Sequence, residues 1–280
     1  MSPSSLRLKP FLRWVGGKSW LSKHLQQLDN LIFENYHEPF LGGAATFFYL
    51  RSERKSYLSD LNPELINAYL AVRDDLSSVI KVLKKFENNE QYYYHIRTKR
   101  FDSSVEDAAK FIYLNQTSFN GIYRVNLKGE YNVPYGFRLK NFLDEAHLHE
   151  VSLVLKNVEL SVADFDIVKQ NLSPADLVFL DPPYTVSHNN NGFIKYNEKL
   201  FSLDDQYRLK KLVDYISATG AFYILTNAAH YKIKEIFESD SSVYKVGRVS
   251  LIGGLNAQRG NINELIFTNI DKLMDPAVEP

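Results

Sequence analysis

The residues best suited to chemistry form the tetrapeptide Asp181-Pro182-Pro183-Tyr184, which directly follows the apolar run LVFL. An aromatic amine is a poor nucleophile because its lone pair is delocalised into the ring, so a protein that uses it must accept hydrogen bonds from its N–H groups. The carboxylate of Asp181 and the carbonyl of Pro182 can accept such bonds, and Tyr184 can stack on the ring. The motif predicts a site for a planar amine; the alternative is a strand end with an Asp turn cap and a surface tyrosine.

A second candidate site is a turn that contains two glycines, within HEPFLGGAATFF (37–48). Gly42 and Gly43 would let a ligand approach the backbone closely, although the G-x-G-x-x-G spacing and a Walker lysine are missing. Asp60 ends the next apolar run about 20 residues after Glu38, where nucleotide-binding sheets place an acid for ribose hydroxyls. The alternatives are a simple tight turn and an Asp60 that only caps the following helix.

The segment FLRWVGGK (11–18) combines an aromatic side chain, two glycines and a lysine. It could close over a small anionic or zwitterionic ligand, with Trp14 packing on the ligand and Lys18 meeting a carboxylate. A loop with a buried tryptophan is the other interpretation.

A fourth pattern combines base-reading side chains with glycine turns, in FNGIYRVNLKGEYNVPYG (119–136). Arg can pair bidentately with guanine and Asn with adenine in the major groove, while Lys128 and Arg138 could meet phosphates. A solvated hairpin without a ligand is the alternative.

The composition limits the possible chemistry. Lys and Arg total 33 and Asp and Glu total 33, so any affinity for nucleic acid must come from a local patch. The absence of cysteine excludes disulfides, thiolate nucleophiles and therefore cytosine-C5 methylation through a covalent adduct. The N-terminal residues lack the apolar core of a signal peptide and no run approaches the ~18 apolar residues of a membrane span, so we expect a cytoplasmic protein.

Apolar runs that end in polar or turn residues predict six buried strands. They are YHEPF (36–40), YLSD (57–60), VELSVAD (158–164), DLVFLD (176–181), AFYILTN (221–227) and ELIFTN (264–269). Helical patterns lie between several of them, with a cap and first-turn proline at 62–64 and a capping box at 202–205. This alternation predicts an open, mostly parallel α/β sheet, with Asp60, Asp164, Asp181 and Asn227 at the ligand-binding rim. Helical patterns replace the alternation from about 62 to 145, which indicates an inserted subdomain.

The ordered segments FLRWVGGK, EPFLGGAATFF, YLSDLNPELI, FNGIYRVNLKGEYNVPYG, DPPY and RGNINELIFTN resemble the Dam-type (D12 class) family of N6-adenine DNA methyltransferases. The resemblance covers roughly residues 9–270. It implies a Rossmann-like class I methyltransferase sheet with helices on both faces and an inserted, mainly helical recognition subdomain with a hairpin. Residues 1–61 and 146–280 would form the catalytic domain, and 62–145 the target-recognition subdomain.

The resemblance also implies an activity. The protein would transfer a methyl group from S-adenosylmethionine to adenine N6 in a short duplex site, GATC or a GAT-containing relative, by base flipping and direct transfer. S-adenosylhomocysteine would be the product, and no metal would be needed. The expected partners are double-stranded DNA and a cognate restriction endonuclease.

The family's site residues carry over by position. Trp14, Lys18, Glu38, Phe40 and Gly42 are expected to hold the methyl donor, with Asp60 on its ribose and Asp164 and Phe165 on its adenine. Asp181, Pro182 and Tyr184 would act on the target adenine, and Asp181 would also contact the donor. The expected DNA-binding residues are Asn120, Ile122, Arg124, Asn126, Lys128, Pro134, Arg138 and Arg259.

The chain departs from the family at two places. Many relatives have a PYGRY-like stretch where this chain has Pro134-Tyr135-Gly136-Phe137-Arg138, which shifts the arginine by one place. The turn at 41–45 reads LGGAA where relatives often keep another glycine, and donor binding should tolerate this small change. Three other functions remain open: N4-cytosine methylation, amino methylation of RNA or protein, and a DNA-binding regulator without turnover.

Overall fold

The structure is a computed structural model that describes residues 8–23, 28, 30–50, 54–126, 128–138, 141–184, 201–238, 241–249, 261–271 and 273. Its contacts divide the chain into two compact units. Unit 1 comprises Met1–Ser19 and Leu41–Asp164, and unit 2 comprises Trp20–Phe40 and Phe165–Pro280. The predicted recognition segment 62–145 belongs to unit 1, and its role as a separate subdomain stays a prediction.

The described strands are β1 (Tyr36–Glu38), β2 (Ser56–Asp60), β3 (Val158–Val162), β4 (Leu177–Leu180), β5 (Phe222–Ala228), β6 (Ser242–Val249) and β7 (Asn261–Thr268). The described α-helices are α1 (Ala45–Leu50), α2 (Pro63–Asp74), α3 (Leu76–Leu83), α4 (Glu90–Thr98), α5 (Ser104–Thr117), α6 (Glu145–Leu155), α7 (Val168–Asn171), α8 (Leu203–Thr219) and α9 (Tyr231–Phe237). The six predicted strands are present, with their ends shifted by a few residues.

Unit 1 combines one parallel strand pair with a group of helices. Strands β2 and β3 run parallel, with Ser56 opposite Val158. Helix α2 begins where the sequence predicts, because the side chain of Asn62 accepts hydrogen bonds from the backbone N–H groups of Glu64 and Leu65. Helices α2 and α5 pack against each other, and both lie in the range of about 62 to 145 where the sequence predicts helices.

The predicted hairpin also lies in unit 1. Val125 and Tyr131 form an antiparallel bridge. On either side of it, the N–H of Asn126 donates to the carbonyl of Glu130, and the N–H of Asn132 donates to the carbonyl of Arg124. Residues 124–132 therefore pair as an antiparallel hairpin, named the recognition hairpin below.

Unit 2 contains a five-stranded sheet segment in the order β1-β4-β5-β7-β6. Strands β1, β4 and β5 are parallel, whereas β7 runs antiparallel to both β5 and β6. The sequence did not predict β6, because Lys245 and Arg248 interrupt its apolar pattern. A strand at the end of the order has one unpaired side, which tolerates such residues better than a central strand does.

The core of unit 2 lies between its sheet and helices α8 and α9. Val178, Leu180 and Leu225 from the sheet pack with Leu209 and Ile233 from the helices. All four residues of β4 are buried, as expected for a central parallel strand. The seven described strands form both parallel and antiparallel pairs. The fold is of the predicted α/β, Rossmann-like class.

Candidate functional site

The glycine turn after β1 is held in place in unit 1 by hydrogen bonds to both backbone groups of Gly42. The N–H of Gly42 donates to Asp60 Oδ2 at 3.0 Å, and the hydroxyl of Tyr69 donates to its carbonyl at 3.1 Å. Gly42 has φ +45°, and a Cβ at this position would lie 2.7 Å from Trp14 Cδ1. The turn therefore requires glycine, both for its left-handed backbone and for the close approach of Trp14.

Asp60 ends β2 and joins the glycine turn to the start of α2. Its second oxygen accepts the N–H of Asn62 at 3.0 Å. Burial raises the pKa of Asp60, while the backbone hydrogen bonds from Gly42, Asn62 and Leu61 act in the opposite direction. The alternative interpretation, a helix-start contact, is thus present in the structure, and the ribose contact stays a prediction.

Trp14 and Lys18 lie in a segment that α5 fixes to unit 1. Asn115 accepts the N–H of Arg13 at 2.8 Å and donates to the carbonyl of the same residue at 2.7 Å. The Trp14 ring stacks on Tyr123, with centroids 5.6 Å apart and an angle of 17°. Lys18 is buried, and its Nζ donates to the carbonyl of Gly16 at 2.9 Å.

In unit 2, β1 presents a buried carboxyl group at its end. Glu38 accepts a hydrogen bond of 2.8 Å from the hydroxyl of Tyr36 in the same strand. Burial of Tyr36, together with the nearby Glu38, raises the pKa of the phenol well above its ordinary value, so Tyr36 remains a donor at neutral pH.

An aromatic cluster follows in unit 2. Phe40 stacks on Phe165 with centroids 5.5 Å apart, and Phe201 packs edge-on against Phe40 at 5.7 Å. The guanidinium of Arg208 lies 4.6 Å from the centroid of the Phe165 ring. Asp164, half-buried, is the last residue of unit 1 and comes two residues after β3.

The Asp181-Pro182-Pro183-Tyr184 segment follows β4 directly, as predicted, and two neighbouring strands hold its side chains. The hydroxyl of Thr226 in β5 donates to Asp181 Oδ1 at 2.7 Å. The hydroxyl of Tyr184 donates to Glu264 Oε2 in β7 at 2.6 Å. Pro182 is buried, and Asp181 and Tyr184 are half-buried.

Sequence reasoning missed Thr226 and Glu264. Both are completely buried polar residues inside the apolar runs AFYILTN and ELIFTN. A polar residue inside an apolar run is the sequence feature that could have identified them, because a buried polar group needs a hydrogen-bond partner. Asn227, predicted at the ligand-binding rim, is instead buried and donates to Gln206 Oε1 at 3.0 Å. Its side chain therefore packs between β5 and α8.

In the recognition hairpin, the strands hold Arg124 in a defined position. Arg124 Nε donates to Asn132 Oδ1 at 2.7 Å, and its Nη2 donates to the carbonyl of Asn132 at 3.3 Å. Asn126 closes the turn by accepting the N–H groups of Lys128 and Glu130. Arg124 and Lys128 are both exposed.

The remaining residues predicted to contact DNA come before or after the hairpin in the sequence. Asn120 is exposed with φ +54°, and Ile122 is half-buried. The carbonyl of exposed Pro134 accepts the N–H of Phe119, and Arg138 is exposed. Arg259 lies outside the described residues.

Unit 1 also contains a cavity of about 650 Å³ beside the hairpin. The charges of its lining residues balance. Three are cationic and three are acidic: Arg97, Arg100 and Lys110, and Glu64, Asp107 and Glu130. This balance gives the cavity no net preference for an anion. Within the described part of the chain, no group of three or more His, Asp or Glu side chains could hold a metal ion.

No helix in the described ranges is both long enough and apolar enough to cross a membrane.

Known proteins are similar in sequence to most of this chain. The pattern of the family described as D12 class N6 adenine-specific DNA methyltransferase matches residues 14–251. The chain is 34% identical to the type II methyltransferase M1.LlaDCHI of Lactococcus lactis subsp. cremoris, over 96% of this chain and 98% of that protein. It is 36% identical to the type II methyltransferase M.MjaIII of Methanocaldococcus jannaschii, over 80% and 85%. A third relative is the retron Ec67 DNA adenine methylase of Escherichia coli, 30% identical over 85% and 83%.

The family match covers parts of both units, including the glycine turn, the recognition hairpin and the Asp181–Tyr184 segment. The chain belongs to the D12 class of N6 adenine-specific DNA methyltransferases.

Proposed function

We propose that this DNA adenine methyltransferase methylates adenine N6 in a short duplex site, GATC or a GAT-containing relative. The target adenine is flipped out of the helix and receives the methyl group by direct transfer. The observation that carries the proposal is the position of Asp181, which follows β4 and is held by Thr226 at 2.7 Å. Its carboxylate can accept a hydrogen bond from an amino group presented at the end of the strand.

The residues predicted to hold S-adenosylmethionine match its chemical groups. Half-buried Phe40 offers aromatic surface for the adenine ring, with buried Phe165 stacked against it, and Asp60 offers carboxylate oxygens for ribose hydroxyls. Lys18 and Glu38 have the charges that would pair with the carboxylate and ammonium of the methionine part. When bound, this cofactor supplies an electrophilic methyl group on a sulfonium.

The protein's own contribution at the target base is to localise an electron pair. Asp181 and the carbonyl of Pro182 accept the two N–H groups of the adenine amino nitrogen, which draws its lone pair out of conjugation with the ring. Tyr184 stacks on the flipped base. Flipping costs a few kcal/mol, which these contacts offset.

The recognition hairpin supplies the sequence preference. Arg124 carries the donors for bidentate contact with a guanine edge, and Asn120 carries the donor and the acceptor that suit an adenine edge. The side chain of Asn126 instead closes the hairpin turn, with its oxygen and its nitrogen both bonded inside the turn, so its role in this proposal is to hold the shape of the hairpin. Lys128 and Arg138 are exposed cations that suit phosphate contacts, and Ile122 and Pro134 provide apolar contacts to the bases. Because the net charge is zero, this local surface must provide the DNA affinity.

The test is to express the protein in cells that lack adenine methylation and to map modified bases across the genome. We expect N6-methyladenine at GATC or GAT-containing sites. We expect Asp181→Ala to lower methyl transfer at least a thousandfold while the protein still binds S-adenosylhomocysteine in calorimetry, since the change removes a transition-state contact.

Nucleoside analysis of the same DNA separates the alternatives. N4-methylcytosine in place of N6-methyladenine would contradict the proposal, as would transfer to RNA alone. Brisk methylation by the Asp181→Ala protein would remove this residue from the proposed role. The names of two relatives suggest that a restriction endonuclease acts on the same site, and a nuclease gene beside this one would support that partnership.

A further inference from the structure

We propose that Glu264 is the positioning residue for Tyr184, and that it sets the ring plane on which the flipped base stacks. The inference rests on the proposed function, because it assigns a role to Glu264 in base binding. It starts from the hydrogen bond of 2.6 Å that the Tyr184 hydroxyl donates to Glu264 Oε2.

The direction of β7 explains how Glu264 reaches this place. Strand β7 runs antiparallel to β5, with Glu264 opposite Ala228 at the carboxyl end of β5. A residue near the beginning of β7 therefore lies at the same end of the unit 2 sheet as the residues that follow β4. Glu264 comes 80 residues after Tyr184 in the chain.

Burial restricts the position of the Glu264 carboxyl group. Its exposure is 0%, and a buried carboxyl group is costly unless hydrogen bonds satisfy it. Tyr184, in contrast, is half-buried, so packing covers only part of its ring. A bond at the hydroxyl holds the ring at the end opposite Cβ and so restricts both side-chain torsions.

This arrangement divides the roles within the tyrosine. The hydroxyl donates its hydrogen to the protein, and the ring face is the part offered to a base. Stacking depends on the orientation of the ring, so loss of the carboxyl group should lower the rate with bound substrates more than the affinity for the methyl donor.

The test uses four full-length proteins: wild type, Glu264→Ala, Tyr184→Phe and the double variant. Single-turnover transfer of a tritiated methyl group to a GATC duplex gives the rate. We expect Glu264→Ala to slow transfer about tenfold, as for the loss of a strong hydrogen bond, with the dissociation constant for S-adenosylhomocysteine unchanged. In the Tyr184→Phe protein, which already lacks the hydroxyl, the same change should have no further effect.

Two further variants separate positioning from general destabilisation. Glu264→Gln keeps a hydrogen-bond acceptor and should transfer within about threefold of wild type. Thr268→Val removes a buried hydrogen bond of 2.6 Å to the carbonyl of Tyr223 at the far end of β7. It should lower the melting temperature and leave the rate unchanged.

The proposal would be overturned if Glu264→Ala transferred the methyl group at the wild-type rate. It would also be overturned if Glu264→Ala lowered the transfer rate equally in proteins with and without the Tyr184 hydroxyl. A wild-type protein that does not methylate adenine would instead contradict the proposed function. The same four proteins then still test the Tyr184–Glu264 bond, because their urea unfolding must show non-additive losses of stability if the bond exists.

Discussion

At position 42 the backbone has room for a hydrogen atom and nothing larger. Asp60 holds the N–H of Gly42 and Tyr69 holds its carbonyl, so the residue is kept against the indole of Trp14. A ligand that binds here would meet a rigid surface made by one glycine and one tryptophan. Such rigidity lowers the entropic cost of binding.

We predict that Gly42→Ala lowers the affinity for S-adenosylhomocysteine at least tenfold. The new Cβ would lie 2.7 Å from Trp14 Cδ1, so the ring must move. The left-handed backbone adds a stability loss of about 1–2 kcal/mol. Calorimetric titration and urea unfolding measure the two effects.

Gly220→Ala is the matched control for this prediction. Gly220 also has a positive φ, +81°, but its nearest atom would be Pro174 Cβ at 3.9 Å. This variant should lose stability and keep wild-type affinity. Equal affinities for both glycine variants would show that the Trp14 contact is irrelevant to the donor.

Ala44 shows what the glycine turn tolerates. It has φ +53°, a conformation that glycine adopts without strain. Within the LGGAA turn, Ala44 is therefore a strained residue, which the sequence alone did not reveal because φ depends on how the turn is packed.

Among the elements, the recognition hairpin is the one whose shape bears most directly on the proposed sequence specificity. Its two strands bring Asn132 against Arg124, and two hydrogen bonds orient the guanidinium before any partner arrives. An arginine with a fixed plane loses less side-chain entropy when it contacts a base edge.

We predict that Arg124→Ala relaxes the sequence preference by about 1–3 kcal/mol at one base pair, since it removes a bidentate contact. Relative transfer rates on a set of single-substitution GATC duplexes measure the change. Lys128→Ala, in the same hairpin and also exposed, should weaken binding to all duplexes alike and reduce its salt dependence. If both variants kept the same preference as wild type, Arg124 would not read a base.

The elements were predictable to the extent that local patterns determine them. The cap at Asn62 and the capping box at Ser202 were predicted correctly, because each depends on a few adjacent side chains. Strand β6 was not, since its alternation is broken by Lys245 and Arg248. The antiparallel direction of β7 could also not be predicted from the sequence, because strand direction depends on the path of the chain between strands.

For the whole molecule, one buried pair links stability to pH. Asp176 accepts hydrogen bonds from the side chain of Asn35, the N–H of Ser173 and the ring of His37, and both His37 and Asp176 are buried. Burial lowers the pKa of His37, although Asp176 acts in the opposite direction. The folded protein thus binds the imidazole proton less readily than the unfolded chain does.

We predict that this histidine makes the protein less stable as the pH falls below about 6.5, the ordinary value for an unfolded histidine. Its contribution is complete above that pH and is lost as the pH falls towards the lowered pKa. Urea unfolding at pH 7.5 and 5.5 should show a smaller pH dependence for His37→Gln than for wild type. His95→Gln, at an exposed position, should keep the wild-type dependence, and a matching slope in all three proteins would refute the assignment.

The placement of two candidate segments was predictable from the sequence: the Asp181–Tyr184 segment directly after β4 and the glycine turn after β1. The supporting residues were not, because Thr226 and Glu264 approach that segment from β5 and β7, strands distant in sequence. Such contacts follow from strand order, which motifs do not encode.

The late position of Glu264 in the chain has a consequence for synthesis. A growing polypeptide emerges from the ribosome with Tyr184 well before its carboxyl partner has been translated. A nascent chain would therefore lack the finished stacking surface until β7 folds into place, so competence for base capture should arise only after β7 has been translated.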